Sequence, residues 1–255
     1  IRNDRSIIKP KELDIVLPDH DIAIELCGIY WHSEQNGKDK WYHKKKQEAC
    51  EQQGVQLFTV FSDEWEANKR LITQKVLSTI GKDPRRVVYA RNTQVVEISR
   101  QQKNEFLNEF HIQGTGPGSV NIGLLYEGMM VACMTFIKNK DHTYYLNRYA
   151  TSCRVVGGFT KMVSWFSKHT TWKRIISFAD LRWSWGHLYQ HNGWTLTQEL
   201  EPDYCYSFPG GRTRIHKFNF RRKRLSHILP HFDEQKSERQ NCDEHNMLRI
   251  WDCGK

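Results

Sequence analysis

The chain has 255 residues, of which 38% are hydrophobic, 12% aromatic and 26% charged, and this is enough for one or two domains with packed cores. Lys and Arg outnumber Asp and Glu by 38 to 29, and the formal net charge of +9 favours a polyanionic partner. No run approaches the roughly 18 apolar residues of a membrane helix, and the first residues lack the apolar core of a signal peptide, so membrane and secreted classes are disfavoured.

Strand and helix patterns alternate in the first half of the chain. The turn residues 18–21 separate two β-prone runs and predict a hairpin. Gly54 and Gly81 follow stretches of helix formers and are expected to be C-caps. The expected elements are strands at 13–17, 22–26 and 28–31, a helix at 41–53, a strand at 55–61 and a helix from Ser62 to about Ile80.

The polar segment 82–86 contains Pro84 and is the best candidate for a domain linker. In the second half, Glu127-Gly128 predicts a tight hairpin, Ser99 caps a helix, and the polar residues from Pro230 predict an irregular tail. The expected elements there are strands at 87–90 or 95–98, 122–126, 129–137, 144–149 and 175–179, and helices at 99–110, 159–168 and near Leu188. The pattern predicts an α/β (α+β) protein with domains at 1–84 and 85–229 and a tail at 230–255.

Charge and cysteine usage indicate the kind of partner and compartment. Residues 1–86 have a net charge of +1 and residues 87–255 a net charge of +8, so the basic surface is expected in the second half. The seven cysteines are scattered and contain no Cys-x-x-Cys pair, which favours reduced thiols and a cytoplasmic location over a disulfide framework.

Three acidic residues lie on the predicted hairpin. Glu12 and Asp14 are two apart and share a strand face, and Glu25 lies in an otherwise apolar run of the partner strand. A carboxylate in such a run is costly to bury unless a cation meets it. Convergent carboxylates suit Mg²⁺, which can position a water and stabilise charge on a phosphate. The alternative is a solvated face with ordinary acids.

Histidines and lysines follow these acids along the chain. His43 and Lys46 are three apart and share a face of the predicted helix, and His32 precedes them. A histidine can activate water or protonate a leaving oxygen, and a lysine can neutralise a phosphate in the transition state. A hydrogen-bonded core histidine and a solvated lysine run are the alternatives.

The order of these motifs resembles a known nuclease family. It comprises Glu12-Leu13-Asp14-Ile15, Ile24-Glu25-x-x-Gly28-x-Tyr30-Trp31-His32, Tyr42-His43-x-x-Lys46, Cys50-Glu51 and Phe61-x-Asp63-Glu64-Trp65. Over residues 1 to 80 it resembles the phage-type homing endonucleases related to very short patch repair nucleases, of the PD-(D/E)XK superfamily. The resemblance implies a restriction-endonuclease-like αβββαβ core, Mg²⁺ held by Asp14, and His32 as a general base or phosphate-positioning residue.

The chain departs from that family at several positions. Leu26-Cys27 follows Glu25, so the lysine of the usual E-x-K motif is absent, and Lys46 is the expected replacement. The repair enzymes have a Thr-His pair at the Leu26-Cys27 position, and their zinc site has no visible counterpart here. From these residues we predict metal ligation by Asp14 and Glu25, assistance from Glu12, proton transfer by His32, and phosphate stabilisation by His43 and Lys46.

The second half resembles another superfamily. Arg154-Val155-Val156-Gly157-Gly158-Phe159 before a helix is typical of a phosphate cradle. Together with residues 188–194 this loop resembles the GNAT acetyltransferase superfamily. Through residues 147–149, 178–184 and 202–206 the closer resemblance is to the Mom-like branch of phage DNA-modification proteins. The resemblance implies a GNAT-like mixed sheet. It also implies an alternative function as a DNA-base-modifying acyltransferase, with Arg154, Gly157 and Gly158 contacting acetyl-CoA and Asp180 or Tyr189 handling protons.

A basic run in the second half favours double-stranded DNA as the partner. Residues 210–224 contain seven Lys and Arg, no acid and two Phe. The expected DNA-binding residues are Arg212, Arg214, Lys217, Arg221, Arg222, Lys223 and Arg224. The leading hypothesis is therefore a Mg²⁺-dependent homing-type DNA endonuclease of phage or bacterial cytosol. The alternatives are the acyltransferase and a DNA-binding protein with both sites decayed.

Overall fold

The computed structural model describes residues 1–255 and is mixed α/β, which confirms the predicted fold class at that level. The chain divides into two compact units: the first unit comprises residues 1–67 and 179–255, and the second unit comprises residues 68–178. This division differs from the expected domains at 1–84, 85–229 and 230–255. No helix combines the length and the apolar character needed to cross a membrane.

The first unit contains a four-stranded sheet of order β1-β2-β3-β4. Its strands are β1 (Arg2–Asp4), β2 (Leu13–Leu17), β3 (Ile22–Cys27) and β4 (Gln56–Phe61). The first three strands are antiparallel neighbours, and β4 lies parallel to β3 because the helix α1 (Tyr42–Glu51) crosses between them. The predicted hairpin is confirmed. The expected strand at 28–31 is wrong, because the His32 amide donates to the Gly28 carbonyl and closes a turn there.

Two helices leave this sheet with different roles. α1 buries one stripe at the helical spacing of three and four residues, comprising His43, Lys46, Gln47 and Cys50. α2 (Ser62–Thr79) begins directly after β4 and has acids in its first turn, where they suit the helix dipole. Its backbone departs from helical geometry at Asn68, where the second unit begins.

Residues 179–255 complete the first unit with three short helices and a three-stranded sheet of order β13-β12-β14. They are α5 (His187–Gln190), β12 (Tyr204–Ser207), β13 (Ile215–His216), α6 (Arg222–Ile228), α7 (Glu238–Glu244) and β14 (Leu248–Trp251). The expected irregular tail from Pro230 is wrong. Ser237 and Gln240 form a capping box at α7, and β14 pairs with β12 along its whole length.

Polar contacts join this C-terminal part to the loop after β3 and to α1 of the same unit. The Gln35 side chain donates to the Met247 carbonyl at 2.8 Å and accepts from the Arg249 amide at 2.9 Å. The Gln47 side chain donates to the Leu181 carbonyl. Such contacts between residues more than a hundred positions apart explain why the first unit is discontinuous in sequence.

The second unit contains a five-stranded sheet of order β11-β9-β8-β7-β6 and a parallel pair of strands, β10 and β5. The elements are β5 (Val87–Tyr89), β6 (Gln94–Glu97), α3 (Arg100–Phe110), β7 (Val120–Tyr126), β8 (Met129–Lys138), β9 (Thr143–Thr151), β10 (Arg154–Val156), α4 (Gly158–His169) and β11 (Arg174–Ile176). The hairpin at Glu127-Gly128 and the cap at Ser99 are confirmed. β11 is parallel to β9, because α4 makes the crossover between them.

Candidate active site on the first unit

One face of β3 is covered by the buried stripe of α1. Side chains alternate along a strand, so residues 23, 25 and 27 share the buried face of β3. The strand and the helix run in opposite directions. Moving two residues along β3 therefore corresponds to moving back three or four residues along α1. Glu25 lies against Lys46 and Cys27 lies near His43, and Ala23 and Cys50 belong to one core cluster.

Glu25 and Lys46 form a buried ion pair at the centre of this face. Lys46 Nζ lies 2.5 Å from Glu25 Oε1, and each residue is 5% exposed. Glu25 Oε2 is buried and has no hydrogen-bond partner. Burial raises the pKa of Glu25 although the Lys46 ammonium opposes the shift, and the nearby Asp14 carboxylate adds to it. The pair therefore leaves one carboxylate oxygen able to accept a further cation.

Asp14 lies beside Glu25 across the β2–β3 hairpin. Ile15 pairs with Ile24, and continuing that register by one pair brings Asp14 opposite Glu25. Asp14 Oδ2 accepts the Leu26 amide at 2.7 Å, which orients the carboxylate along β3. Glu12 does not join the group, because Arg5 engages its Oε2 at 2.8 Å.

The two predicted histidines stack on each other next to Cys27. The rings of His32 and His43 lie 5.2 Å apart between centroids and are inclined by 20°. Burial lowers the pKa of His32 to about 4, with smaller effects from the Lys38 and Lys46 ammonium groups. Burial lowers the pKa of His43 to about 3, and the neighbouring His32 adds to the shift. Both imidazoles are therefore neutral at physiological pH.

The donor atoms at the hairpin fit Mg²⁺. Mg²⁺ prefers hard oxygen ligands and is usually held by one or two protein carboxylates. Asp14 and Glu25 supply two carboxylates, and the buried, unpartnered Glu25 Oε2 is an oxygen for which the protein itself provides no partner. These two residues would hold the ion.

Sequence reasoning missed Cys27 as a site residue. Ligand atoms of Cys27, His32 and His43 all lie within 4.8 Å of one another. The signal was present in the alternation of β3, since Cys27 follows Glu25 by two residues on the same buried face. The motif pattern draws attention to Cys27 only as a departure from the Thr-His pair of the repair enzymes.

The loop that carries His32 presents aromatic side chains and is held by β14. Trp31 is 69% exposed and Tyr30 is 46% exposed, with their rings in edge contact. Glu34 accepts from the Arg249 guanidinium at 3.1 Å and from the Trp251 indole at 3.0 Å. The C-terminal strand thus holds the His32 loop in place while leaving its aromatic tip at the surface.

The predicted DNA-binding run contains two residues that are engaged within the first unit. Arg214 forms ion pairs with Asp63 at 3.0 Å and Glu64 at 2.9 Å and lies over the Phe61 ring at 4.0 Å. Lys217 Nζ lies 2.6 Å from Asp203. These two cations are committed to internal contacts. The exposed members of the run are Arg212, Arg221, Arg222, Lys223 and Arg224.

The positive charge is concentrated in the second unit. Residues 68–178 contain 17 Lys and Arg and 6 Asp and Glu, a net charge of +11, whereas the first unit has a net charge of −2. Four exposed cations lie at the end of β8 and at the starts of β9 and β11. The starts of β9 and β11 lie together, because the Lys173 amide donates to the His142 carbonyl and Arg174 pairs with Thr143. We call this group the basic edge; it consists of Lys138, Lys140, Lys173 and Arg174.

The glycines of the predicted cofactor loop have structural explanations within the second unit. Gly157 has a φ of +77° and is the N-cap of α4. A Cβ atom on Gly158 would lie 2.6 Å from Val155 Cγ1 and 3.1 Å from the Tyr149 hydroxyl. Arg154 is exposed. The proposed proton carriers Asp180 and Tyr189 belong to the first unit, and the acyltransferase alternative stays a prediction.

Comparisons with known proteins add no assignment. No protein-family model matches the chain, and no curated protein matches it significantly. The resemblances to the nuclease and acetyltransferase families therefore stay predictions from motifs.

Proposed function

We propose that this protein is a Mg²⁺-dependent DNA endonuclease whose catalytic site lies on the first unit. The observation that carries the proposal is the meeting of Asp14, the Glu25–Lys46 pair and His32 at one end of the β2–β3 hairpin. Carboxylates that can hold a metal beside a neutral imidazole are groups that can catalyse phosphodiester hydrolysis. The chain brings them together from β2, β3, α1 and the loop after β3.

Asp14 and Glu25 would hold Mg²⁺, which when bound supplies positive charge to the scissile phosphate and its attacking water. The neutral His32 accepts a proton from that water as the new oxygen–phosphorus bond forms. The bond from phosphorus to the leaving sugar oxygen breaks, and solvent protonates the leaving oxygen. Because its pKa is lowered to about 4, the His32 imidazole is unprotonated at physiological pH.

Lys46 and His43 are positioning residues in this proposal. Lys46 is 5% exposed and bound to Glu25, so it orients that carboxylate rather than contacting phosphate. His43 is 2% exposed and stacks behind His32. In this proposal Lys46 positions Glu25 and His43 positions His32, and neither residue has the phosphate-stabilising role that the sequence predicted.

Two surface features support a nucleic acid substrate. The exposed rings of Tyr30 and Trp31 lie next to His32 in sequence, and exposed aromatic faces can stack on bases. The second unit contributes a net charge of +11, and phosphate neutralisation supplies most of the affinity for DNA in non-specific binding. The basic edge and the exposed part of the 212–224 run are the groups for this binding.

The test is cleavage of supercoiled plasmid and phage genomic DNA with Mg²⁺ or with EDTA, read on gels. Asp14→Ala is compared with wild type, and Asp19→Ala is the matched control, because Asp19 is an exposed acid on the same hairpin. We expect Mg²⁺-dependent cleavage by wild type and Asp19→Ala, and at least a hundredfold slower cleavage by Asp14→Ala with DNA binding retained.

Full cleavage by Asp14→Ala would overturn the assignment of the site. Wild-type protein that binds DNA and never cleaves it in the presence of Mg²⁺ would overturn the proposed activity. In that case the acyltransferase alternative would be tested by thermal unfolding with acetyl-CoA, because a ligand that binds only the folded protein raises its melting temperature.

A further inference from the structure

A second group of ligand atoms lies beside the carboxylates. Cys27 ends β3, His32 lies in the following loop, and His43 lies in the first turn of α1. One ligand atom from each of these side chains lies within 4.8 Å of the other two. Three separate segments of the first unit therefore converge on one point with a sulfur and two imidazole nitrogens.

The protein leaves polar atoms of this group without partners. His43 is 2% exposed and its Nε2 has no hydrogen-bond partner, and His32 Nδ1 is also buried and unpartnered. A buried polar atom without a partner costs free energy, and a bound ion is one of the explanations for such an atom in a folded protein. A metal ion would accept both nitrogen lone pairs. This observation is independent of the three-residue geometry.

The donor set selects a metal different from Mg²⁺. Thiolate and imidazole are preferred by Zn²⁺, whereas Mg²⁺ is bound through oxygen. With Zn²⁺ bonds of about 2.0–2.3 Å, neighbouring ligand atoms of a tetrahedral site lie about 3.3–3.7 Å apart. The ligand atoms of Cys27, His32 and His43 lie within 4.8 Å of one another, so they would have to approach by roughly 1 Å. We propose that Cys27, His32 and His43 bind one Zn²⁺ ion, with the Cys27 thiol proton released to solvent on coordination.

The proposed Zn²⁺ site shares His32 with the proposed reaction. A His32 imidazole that binds Zn²⁺ no longer accepts the proton of the attacking water, so Zn²⁺ would inhibit cleavage. This consequence, unlike the metal site itself, rests on the proposed function. The inhibition goes beyond that function, because it makes the same active site inactive when Zn²⁺ is bound.

Direct metal binding tests the site without DNA. Wild type, Cys27→Ser and the matched control Cys50→Ser, a buried thiol on α1, are titrated with Co²⁺ and then with Zn²⁺ against a chromophoric chelator. We expect wild type and Cys50→Ser to bind one equivalent and to show a thiolate-to-cobalt charge-transfer band. Cys27→Ser should lose the band and bind Zn²⁺ at least tenfold more weakly.

X-ray absorption of wild-type protein with one equivalent of Zn²⁺ gives the same answer without a variant that could misfold. A shell with one sulfur at about 2.3 Å and nitrogen at about 2.0–2.1 Å is expected. A shell without sulfur, or a wild type that takes up no stoichiometric Zn²⁺, would overturn the site.

Cleavage in Mg²⁺ by protein preloaded with Zn²⁺ tests the inhibition. We expect at least tenfold slower cleavage, restored when a zinc-selective chelator is added. Unchanged cleavage by protein shown to hold Zn²⁺ through Cys27 overturns the inhibition and leaves the site standing. A protein that binds Zn²⁺ and never cleaves DNA contradicts the proposed function instead, so the two failures are distinguishable.

Discussion

The two units of the molecule differ in where they place their charged residues. In the first unit, which has a net charge of −2, ionisable side chains are buried with atoms that lack partners, namely Glu25 Oε2, His32 Nδ1 and His43 Nε2. In the second unit, which has a net charge of +11, most cations are exposed, and the buried Lys103 donates to the Gly116 carbonyl at 2.6 Å. Buried, unsatisfied groups indicate chemistry, whereas exposed like charges indicate attraction of a polyanion.

The comparison also separates ion pairs that support the fold from those that support the proposed site. Arg182 is 6% exposed and binds both Asp180 and Glu64, which ties residues 179–255 to the start of α2. Every oxygen of these two carboxylates accepts a hydrogen bond from Arg182. The Glu25–Lys46 pair is more deeply buried and leaves Glu25 Oε2 without a partner.

The largest expected effect concerns this pair. Lys46→Met should destabilise the first unit by about 3–5 kcal/mol, because Glu25 would stay buried without its cation. The double variant Glu25→Met/Lys46→Met should recover most of that stability and should still fail to cleave DNA. Urea unfolding followed by tryptophan fluorescence measures the change, since seven of the nine Trp lie in the first unit. If the double variant is as unstable as Lys46→Met, the Glu25–Lys46 pair stabilises the fold, and the prediction that it serves only the proposed site is wrong.

The next effect is a pH dependence of stability that His43 contributes. Its pKa is about 3 in the folded protein and 6.5 in the absence of burial. The unfolded chain therefore binds a proton first as the pH falls, and the stability present above about pH 6.5 is lost as the pH falls toward about 3. Between about pH 6.5 and 4.5 the loss from His43 should be roughly 2–3 kcal/mol. His43→Asn should flatten the urea-midpoint curve by that amount, and a curve of unchanged slope would contradict the burial of a neutral imidazole.

A smaller effect is expected at the glycine loop of the second unit. Gly158→Ala should destabilise that unit by about 1–3 kcal/mol, because the new Cβ would meet Val155 and Tyr149. Ser164→Ala, at an exposed position of α4, is the control and should change stability by less than about 0.5 kcal/mol. Hydrogen exchange of β10 and α4 measures the difference. A Gly158→Ala protein of normal stability that fails to bind acetyl-CoA where wild type binds it would favour the acyltransferase alternative.

The smallest effect distinguishes the two basic surfaces. Replacing the four residues of the basic edge by Gln should weaken DNA binding by about tenfold, uniformly for all sequences. The slope of log affinity against log salt concentration should fall by about 0.9 for each phosphate that the variant no longer neutralises. The matched variant replaces Arg221, Arg222, Lys223 and Arg224 by Gln. Filter binding over a range of salt concentrations compares them, and weaker binding by the second variant alone would move the DNA anchor to the first unit.

Much of the local structure could be predicted because short-range rules decide it. The apolar runs on either side of residues 18–21 form the expected hairpin, and Ser99 caps α3 through its contacts with Gln102. The apolar run around Glu25 also suggested a carboxylate that needs a cation, and helical spacing put His43 and Lys46 on one face of α1, as observed. Strand alternation, helical periodicity and capping depend on neighbours within a few residues.

The residue partners of the candidate site could not be predicted in the same way. Nothing local in the sequence says that Glu12 pairs with Arg5 rather than joining Asp14, or that Cys27 meets two histidines. Likewise the basic character of 212–224 is visible in the sequence, but the ion pairs of Arg214 with Asp63 and Glu64 are not. The role of a charged side chain depends on which residues, distant in sequence, the fold places next to it.

The sequence by itself therefore determined the hairpin, the helix after it, the identity of the acids and histidines and the excess of positive charge. Only the tertiary structure decided that residues 179–255 return to the first unit, that β14 holds the His32 loop, and that the excess charge belongs to the second unit. Periodicity and turn chemistry act over short stretches of chain, whereas burial and ion pairing are set by contacts between distant residues.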